Sequence, residues 1–182
     1  VESCPDTLPV PAAREGQPDA WDALFKRYQL PLYSYVYECV RDEQTSLDIV
    51  QETFINAVKY IRQLREDEKF GSWLFSIAHQ KISQRRRKQA NEQKKHETFY
   101  EESEFENENP LQWLILREDE KRFMNCVEHL SLPHRSVLLL HFIEEFKVDQ
   151  IAEITQTQVG TIKSRLFYAK KALRNLWERE IK

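Results

Sequence analysis

The chain has 182 residues, 41% of them hydrophobic, and a formal net charge of -3, enough apolar content for one ordinary core or two small ones. No apolar run approaches the roughly 20 residues of a membrane span, and the first residues lack the basic-then-apolar order of a secretory signal, so a soluble, cytoplasmic protein without membrane insertion is expected. With 3 Gly the chain reads as mainly helical, and Cys4, Cys39 and Cys126, odd in number and far apart, suggest neither a disulfide framework nor a zinc site.

Residues 1–13 carry Pro5, Pro9 and Pro11 with little periodicity and read as a flexible tail. Trp21, Leu24, Phe25 and Tyr28 then follow helical spacing; Pro31 is expected to interrupt, with Leu32, Val36 and Val40 continuing the stripe beyond it. A second helix, capped by Thr45 or Ser46, is expected to bury Leu47, Val50, Phe54, Ala57 and Ile61. A polar loop, residues 63–69, leads to a third helix with Leu74, Ile77, Ala78 and Ile82 on its apolar face. These elements make a first helical domain, residues 14–96. Residues 97–112, rich in Glu and containing Asn109-Pro110, read as a flexible acidic linker. In the second domain, residues 113–182, Leu116, Phe123, Val127 and Leu130 mark one helix, and Ser131-Leu132-Pro133 opens the next. The fold class expected is all-α: two small helical domains, the C-terminal one containing a helix-turn-helix.

Charge is segregated along this frame. Lys81, Arg85, Arg86, Arg87, Lys88, Lys94 and Lys95 face Glu92 alone, whereas Glu97, Glu101, Glu102, Glu104, Glu106 and Glu108 meet no cation before Pro110. From Thr155 to Trp177, Lys163, Arg165, Lys170, Lys171 and Arg174 meet no acid. A near-neutral chain thus holds two basic segments separated by an acidic one, and any nucleic-acid binding must come from those local patches.

The second basic segment belongs to the helix-turn-helix. Residues 148–154 and 159–166 read as two short helices joined by a tight turn. Val159, Ile162, Leu166, Ala169, Leu173 and Leu176 share the face that packs on the domain. Opposite them lie Gly160, Thr161, Ser164, Phe167, Tyr168 and Lys171, flanked by Lys163 and Arg165. Cations and hydroxyls so placed suit base edges and phosphates, and an exposed Phe suits a thymine methyl. A lone basic helix is more often a solvated face; the short helix before this one and the absence of acids favour DNA reading. In the first domain, Asp48, Glu52 and Ile55, with Gln51 at the edge, form an outward stripe in which an apolar residue among carboxylates suggests a partner surface.

No catalytic constellation assembles. Cys126 and His129 lie one helical turn apart with His134 nearby, but a fourth ligand is missing, and neither a Gly-rich phosphate loop nor a nucleophile motif occurs. No enzyme activity, cofactor or metal is expected.

The run Asp149 to Leu173, with Val159-Gly160-Thr161-Ile162-Lys163-Ser164-Arg165 at its centre, resembles the promoter-reading helix-turn-helix of extracytoplasmic-function sigma factors. Residues 48–54 (DIVQETF) are similar to the polymerase-binding helix of that family, and residues 70–78 (FGSWLFSIA) resemble the segment that leads into minus-ten recognition. The matches occur in the family's order across nearly all of residues 14–180. The resemblance implies a transcription initiation factor that binds core RNA polymerase and directs it to promoters. Asp48, Gln51, Glu52 and Ile55 would dock on the clamp helices, with the flap of the large subunits as a further contact. Arg65, Phe70, Trp73, Gln80, Gln84, Arg85, Arg86, Arg87 and Lys88 would serve the minus-ten element. The outward residues of the last helix would serve the minus-thirty-five element, and an anti-sigma protein would be a further partner. Gln80, Gln84 and Tyr168 depart from the common family residues, and the turn at residues 155–158 lacks the usual Gly and Pro. Two other readings use the same surfaces: a sigma-like decoy for an anti-sigma protein, and a regulator that uses only the C-terminal motif.

Overall fold

A computed structural model describes residues 8–95 and 118–180, and every regular element among them is helical. Helix α1 is Val10–Arg14, inside the segment expected to be a tail. It is ordered because Val10 is fully buried, Trp21 Nε1 donates to the Ala13 carbonyl at 3.0 Å, and Arg14 pairs with Asp67. Residues 1–7 and the expected linker, 97–112, lie outside the described residues.

Helix α2, Pro18–Val40, starts on Pro18, whose fixed φ suits the first turn. Contrary to the expected interruption, it runs straight through Pro31. Proline removes one backbone donor there, but Leu24 and Leu32 on either side, then Tyr35 and Val36, are all buried and hold both halves to one core. Helix α3, Glu43–Tyr60, is capped by Asp42 rather than Thr45 or Ser46: the Asp42 carboxylate accepts from the Thr45 amide at 2.7 Å. Hydrogen bonding from the Thr45 side chain, then from its amide, holds the Asp42 carboxyl below its ordinary pKa. The buried face of α3 is Ile49, Val50, Thr53, Phe54 and Ala57, whereas Leu47, expected inside, is 47% exposed at the edge of the stripe. Two 3-10 turns, Ile61–Gln63 and Asp67–Lys69, replace the expected polar loop and bury Ile61 and Leu64. Helix α4, Phe70–Lys95, closes the first domain.

In the second domain, α5 is Glu118–Glu128 and α6 is Leu132–Leu138, extended by a π turn at Leu139–Ile143. Helix α7, Val148–Thr155, and α8, Val159–Glu180, form the helix-turn-helix. Val137, Leu140, Ile151, Ile154, Ile162 and Ala169 are its core; Phe123 and Val159, assigned to buried faces by periodicity, are 38% and 41% exposed.

The two domains pack against each other. Helix α4 lies along α7 and α2 meets α6. Phe75 meets Phe146 with ring centroids 5.1 Å apart, Arg135 Nη1 donates to the Glu38 carbonyl at 2.9 Å, and Cys39 Sγ lies 3.7 Å from Ser136 Oγ. Burial at this seam pushes the Cys39 thiol up to about 11, so it remains a neutral thiol.

Candidate nucleic-acid interface and partner surfaces

Helix α8 is presented by the turn before it. Gln150 Oε1 accepts from the Lys147 amide at 2.9 Å to cap α7, and α7 ends on Gln156 at φ 51, ψ 44. The sharp reversal therefore places a non-glycine residue in left-handed backbone, as the missing Gly required. Ile162, Leu166 and Ala169 anchor α8 in the core. On the opposite face Gly160, Lys163, Ser164, Phe167, Tyr168 and Lys171 are exposed and Thr161 is half-buried. Phe167 and Tyr168 are 64% and 57% exposed, with rings edge to face at 5.3 Å. Ser164 Oγ donates to the Gly160 carbonyl at 3.0 Å, so that hydroxyl turns first to its own helix. A Cβ on Gly160 would meet nothing within 4 Å, so internal packing does not demand glycine there.

Arg165 leaves this group. It is half-buried and lines a cavity between the domains, shared with His79 and with Arg86 and Arg87 of α4.

On α4, Gln80, Gln84, Arg85, Arg86, Arg87 and Lys88 are exposed, and Arg65 is exposed in the preceding turn. Trp73 is half-buried against Phe70, with centroids 5.9 Å apart. Phe70 itself is a correction to the sequence reading: it is fully buried beneath Trp21, Tyr28 and Trp73 and offers no ring face to a base. Gly71 allows this tight start to α4, since a Cβ there would stand 3.1 Å from Tyr28 Oη.

The α3 stripe is tied to α4. Glu52 Oε2 receives Lys81 Nζ at 2.7 Å, and Asp48 faces Arg85 at 4.0 Å. Ile55 is 58% exposed and Gln51 is exposed, as the spacing predicts. Leu47 and Val58 extend the apolar strip along the same side. Sequence reasoning missed Val58 because apolar spacing alone does not say which of two adjacent stripes is buried.

A third surface went unread in the sequence. Phe123, Val127, Leu139, Phe142, Leu173 and Trp177 line an apolar groove of about 430 Å³ between α5, α6 and α8. Phe142 and Ile143 stand more than half exposed at its lip, and Lys170 sits over the Phe142 ring at 5.2 Å. The π turn that places these two residues leaves no simple periodic signal. Among the described residues no group of His, Cys, Asp and Glu could hold a metal, and no helix is long and apolar enough to cross a membrane.

Comparison with known proteins matches residues 24–92 to sigma-70 region 2 and residues 120–173 to sigma-70 region 4. The chain is 29% identical over 182 residues to the ECF RNA polymerase sigma-E factor of Escherichia coli, covering 96% of this chain and 95% of that protein. It is 28% identical over 179 residues to the ECF RNA polymerase sigma factor SigW of Bacillus subtilis, covering 91% and 92%. Among solved structures, it is similar to the sigma factor RpoE in complex with the anti-sigma factor NepR from Bartonella quintana. That match has a TM-score of 0.71 at 23% identity over 85% of this chain and 96% of that one. CnrH in complex with the cytosolic domain of CnrY gives 0.68 at 20% identity over 94% and 96%.

Proposed function

We propose how the surfaces above are used from the premise that this chain belongs to the sigma-70 family: it is an ECF-type sigma factor, a promoter-specific transcription initiation factor. The observation that carries the DNA assignment is the outward face of α8, cationic and aromatic, free of acids from Val159 to Trp177 and held by a buried opposite face. In this reading Lys163 and Lys171 hold phosphates, Phe167 and Tyr168 supply apolar contacts, and the open side of Gly160 lets backbone approach DNA at the minus-thirty-five element. Helix α4 serves the minus-ten element. Trp73 supplies a partly exposed ring, Gln80 and Gln84 supply hydrogen bonds, and Arg85, Arg86, Arg87 and Lys88 follow the strand backbone.

The α3 strip of Leu47, Gln51, Glu52, Ile55 and Val58 docks on the clamp helices of core polymerase. The apolar groove of the second domain, rimmed by Lys170 and Arg174, takes an amphipathic helix, for which the flap is the candidate in the holoenzyme. An anti-sigma protein would compete for the same exposed surfaces. The work belongs to the cytoplasm, where polymerase and promoters are, and the protein contributes binding rather than bond chemistry.

The packed arrangement cannot read both elements at once. Elements centred about 25 bp apart lie roughly 85 Å apart on B-DNA, at 3.4 Å per step, whereas Arg86, Arg87 and Arg165 line one cavity of about 480 Å³. Engagement therefore requires the domains to part. The 22 residues from 96 to 117 can reach about 75 Å when extended, which together with the width of the domains suffices.

Run-off transcription with core polymerase tests this reading. Promoter-dependent transcripts are expected; promoter binding without them would indicate a regulator, and neither would indicate a decoy.

A further inference from the structure

The seam between the domains forms a cleft that exists only while the domains are packed, before Arg86 and Arg87 are free to meet promoter DNA. Its volume is about 480 Å³, within the range of small-molecule sites and far too small for duplex DNA. Arg86 and Arg87 enter it from α4 and Arg165 from α8, so neither domain alone forms it. Among the described residues no carboxylate lines it.

The distribution of ion pairs sets these three arginines apart. Where α4 faces α3, its cations are neutralised: Lys81 by Glu52 at 2.7 Å and Arg85 by Asp48 at 4.0 Å. Arg86, Arg87 and Arg165 have no ion-pair partner among the described residues. Three like charges converging on one cavity repel each other and disfavour the packed arrangement unless an anion sits among them. The surrounding groups can complete a site. The Ser83 hydroxyl can donate to an anion, and Leu132 and Pro133 supply an apolar wall on which a ring can lie. His79 lines the same space; its Nδ1 lies 2.7 Å from Tyr35 Oη, and burial first, then the Arg165 charge, push it down to about 4, so the ring is neutral at pH 7.

We propose that this cleft binds a small phosphate-bearing anion of the nucleoside diphosphate class, the three guanidiniums taking the phosphates and the Leu132–Pro133 wall taking the base, and that occupancy holds the two domains together. The charge matches, since a diphosphate carries close to three negative charges at neutral pH. Guanidinium forks are suited to phosphate oxygens in a way that a point charge is not. Because the site exists only when the domains are packed, the ligand stabilises that arrangement by mass action and opposes the opening that promoter engagement needs.

The test uses the full chain, with ADP and inorganic pyrophosphate as separate probes in titration calorimetry. Saturable binding of both is expected, tighter for ADP if the apolar wall takes the base. Arg86→Ser combined with Arg165→Ser should weaken both probes at least tenfold, while Lys163→Ala and Lys171→Ala, outside the cleft, should change them less than twofold. Phe146→Asp keeps every arginine but breaks the Phe75 contact across the seam, and should abolish probe binding. Should that variant misfold by circular dichroism, small-angle scattering of the parent protein serves instead: ADP should lower the radius of gyration. The proposal is overturned if the parent binds neither probe. It is equally overturned if Phe146→Asp, correctly folded, binds as well as the parent, if the Lys163 and Lys171 variants weaken binding as much as the cleft variants, or if ADP leaves the radius of gyration unchanged. None of these outcomes depends on polymerase or promoter, so the proposed promoter reading stands or falls separately.

Discussion

The two domains use aromatic residues in opposite ways. In the first, Trp21, Tyr28, Phe70 and Trp73 form a contiguous ring cluster, and Tyr35 stacks obliquely on Phe75 at 5.4 Å. In the second, the buried core is aliphatic, and Phe123, Phe142, Phe167 and Tyr168 stand at the surface. Aromatic rings bury large areas, so a cluster of them can close a small domain. A domain that closes on Leu, Ile and Val can leave its rings free for partners, and such exposed aromatic surface is typical of binding sites. The buried ring cluster of the first domain is thus structural, whereas in the second domain the exposed rings, Phe146 at the seam apart, are free for partners.

Phe70→Ala tests that contrast most severely. Truncating a fully buried Phe costs about 3–5 kcal/mol, so the first domain should lose most of its stability in denaturant titration. Phe167→Ala should leave the unfolding free energy within about 0.5 kcal/mol of the parent, as expected for a surface change, while weakening binding to a minus-thirty-five fragment. If Phe70→Ala melted normally and lost only single-strand binding, the ring would belong to the DNA surface after all.

Charge reversal and charge removal separate the two surfaces at the next level. Glu52→Lys should reduce holoenzyme assembly about tenfold or more while costing the fold no more than about 1 kcal/mol, the range for an exposed ion pair such as that with Lys81. Lys163→Ala should leave assembly intact and lower the log–log salt slope of promoter binding by about 0.9, the increment for one neutralised phosphate. A competition pull-down and a salt titration of fluorescence anisotropy measure the two effects. Equal losses on both surfaces from either variant would mean that the domains are not functionally separable.

Much of this layout is legible in the chain. Two helical domains, the helix-turn-helix and the basic run of α4 follow from periodicity, turn residues and charge blocks, because each is a local property. The misreadings share one physical cause, which is that tertiary burial overrides local signals. Pro31 sits inside α2 because packing on both sides outweighs one missing backbone bond, and Val10 turns an expected tail into α1 by filling the core. Leu47 and Phe70 exchange expected roles for the same reason, since spacing gives a stripe but not its exact phase. The domain seam and the apolar groove rest on pairings between residues distant in sequence, such as Phe75 with Phe146, which no window of the chain contains.

Glu144 sharpens the comparison by adding pH. Burial raises its carboxyl to about 7 from an ordinary 4.5, and its charge reaches Tyr35 of the first domain. A raised carboxylate pKa means that the folded state binds the proton more tightly than the unfolded chain. Stability from this group is therefore full below about 4.5, falls as pH rises toward 7, and is lost above it. Glu144→Gln should be more stable than the parent at pH 8 and should show a flatter thermal-stability profile between pH 5 and 8. An unchanged profile would assign the pH dependence elsewhere.

The smallest expected effect lies at Gln156, and it separates a fold constraint from a functional one. Its φ of 51 is ordinary for glycine and uncommon for a residue with a Cβ. Its amide nevertheless satisfies the end of α7 by bonding back to Glu153 O at 3.3 Å. Gln156→Gly keeps that donor and relieves the left-handed conformation, at the expense of extra backbone freedom in the unfolded chain. At a helix C-terminus the first effect should prevail, raising stability by about 0.5–1 kcal/mol. The gain should appear as a higher denaturant midpoint with an unchanged slope. Promoter affinity should stay within twofold, because the Gln156 side chain lies outside the outward face of α8. A gain in stability accompanied by weaker promoter binding would instead show that the strained turn sets the angle at which α8 meets DNA.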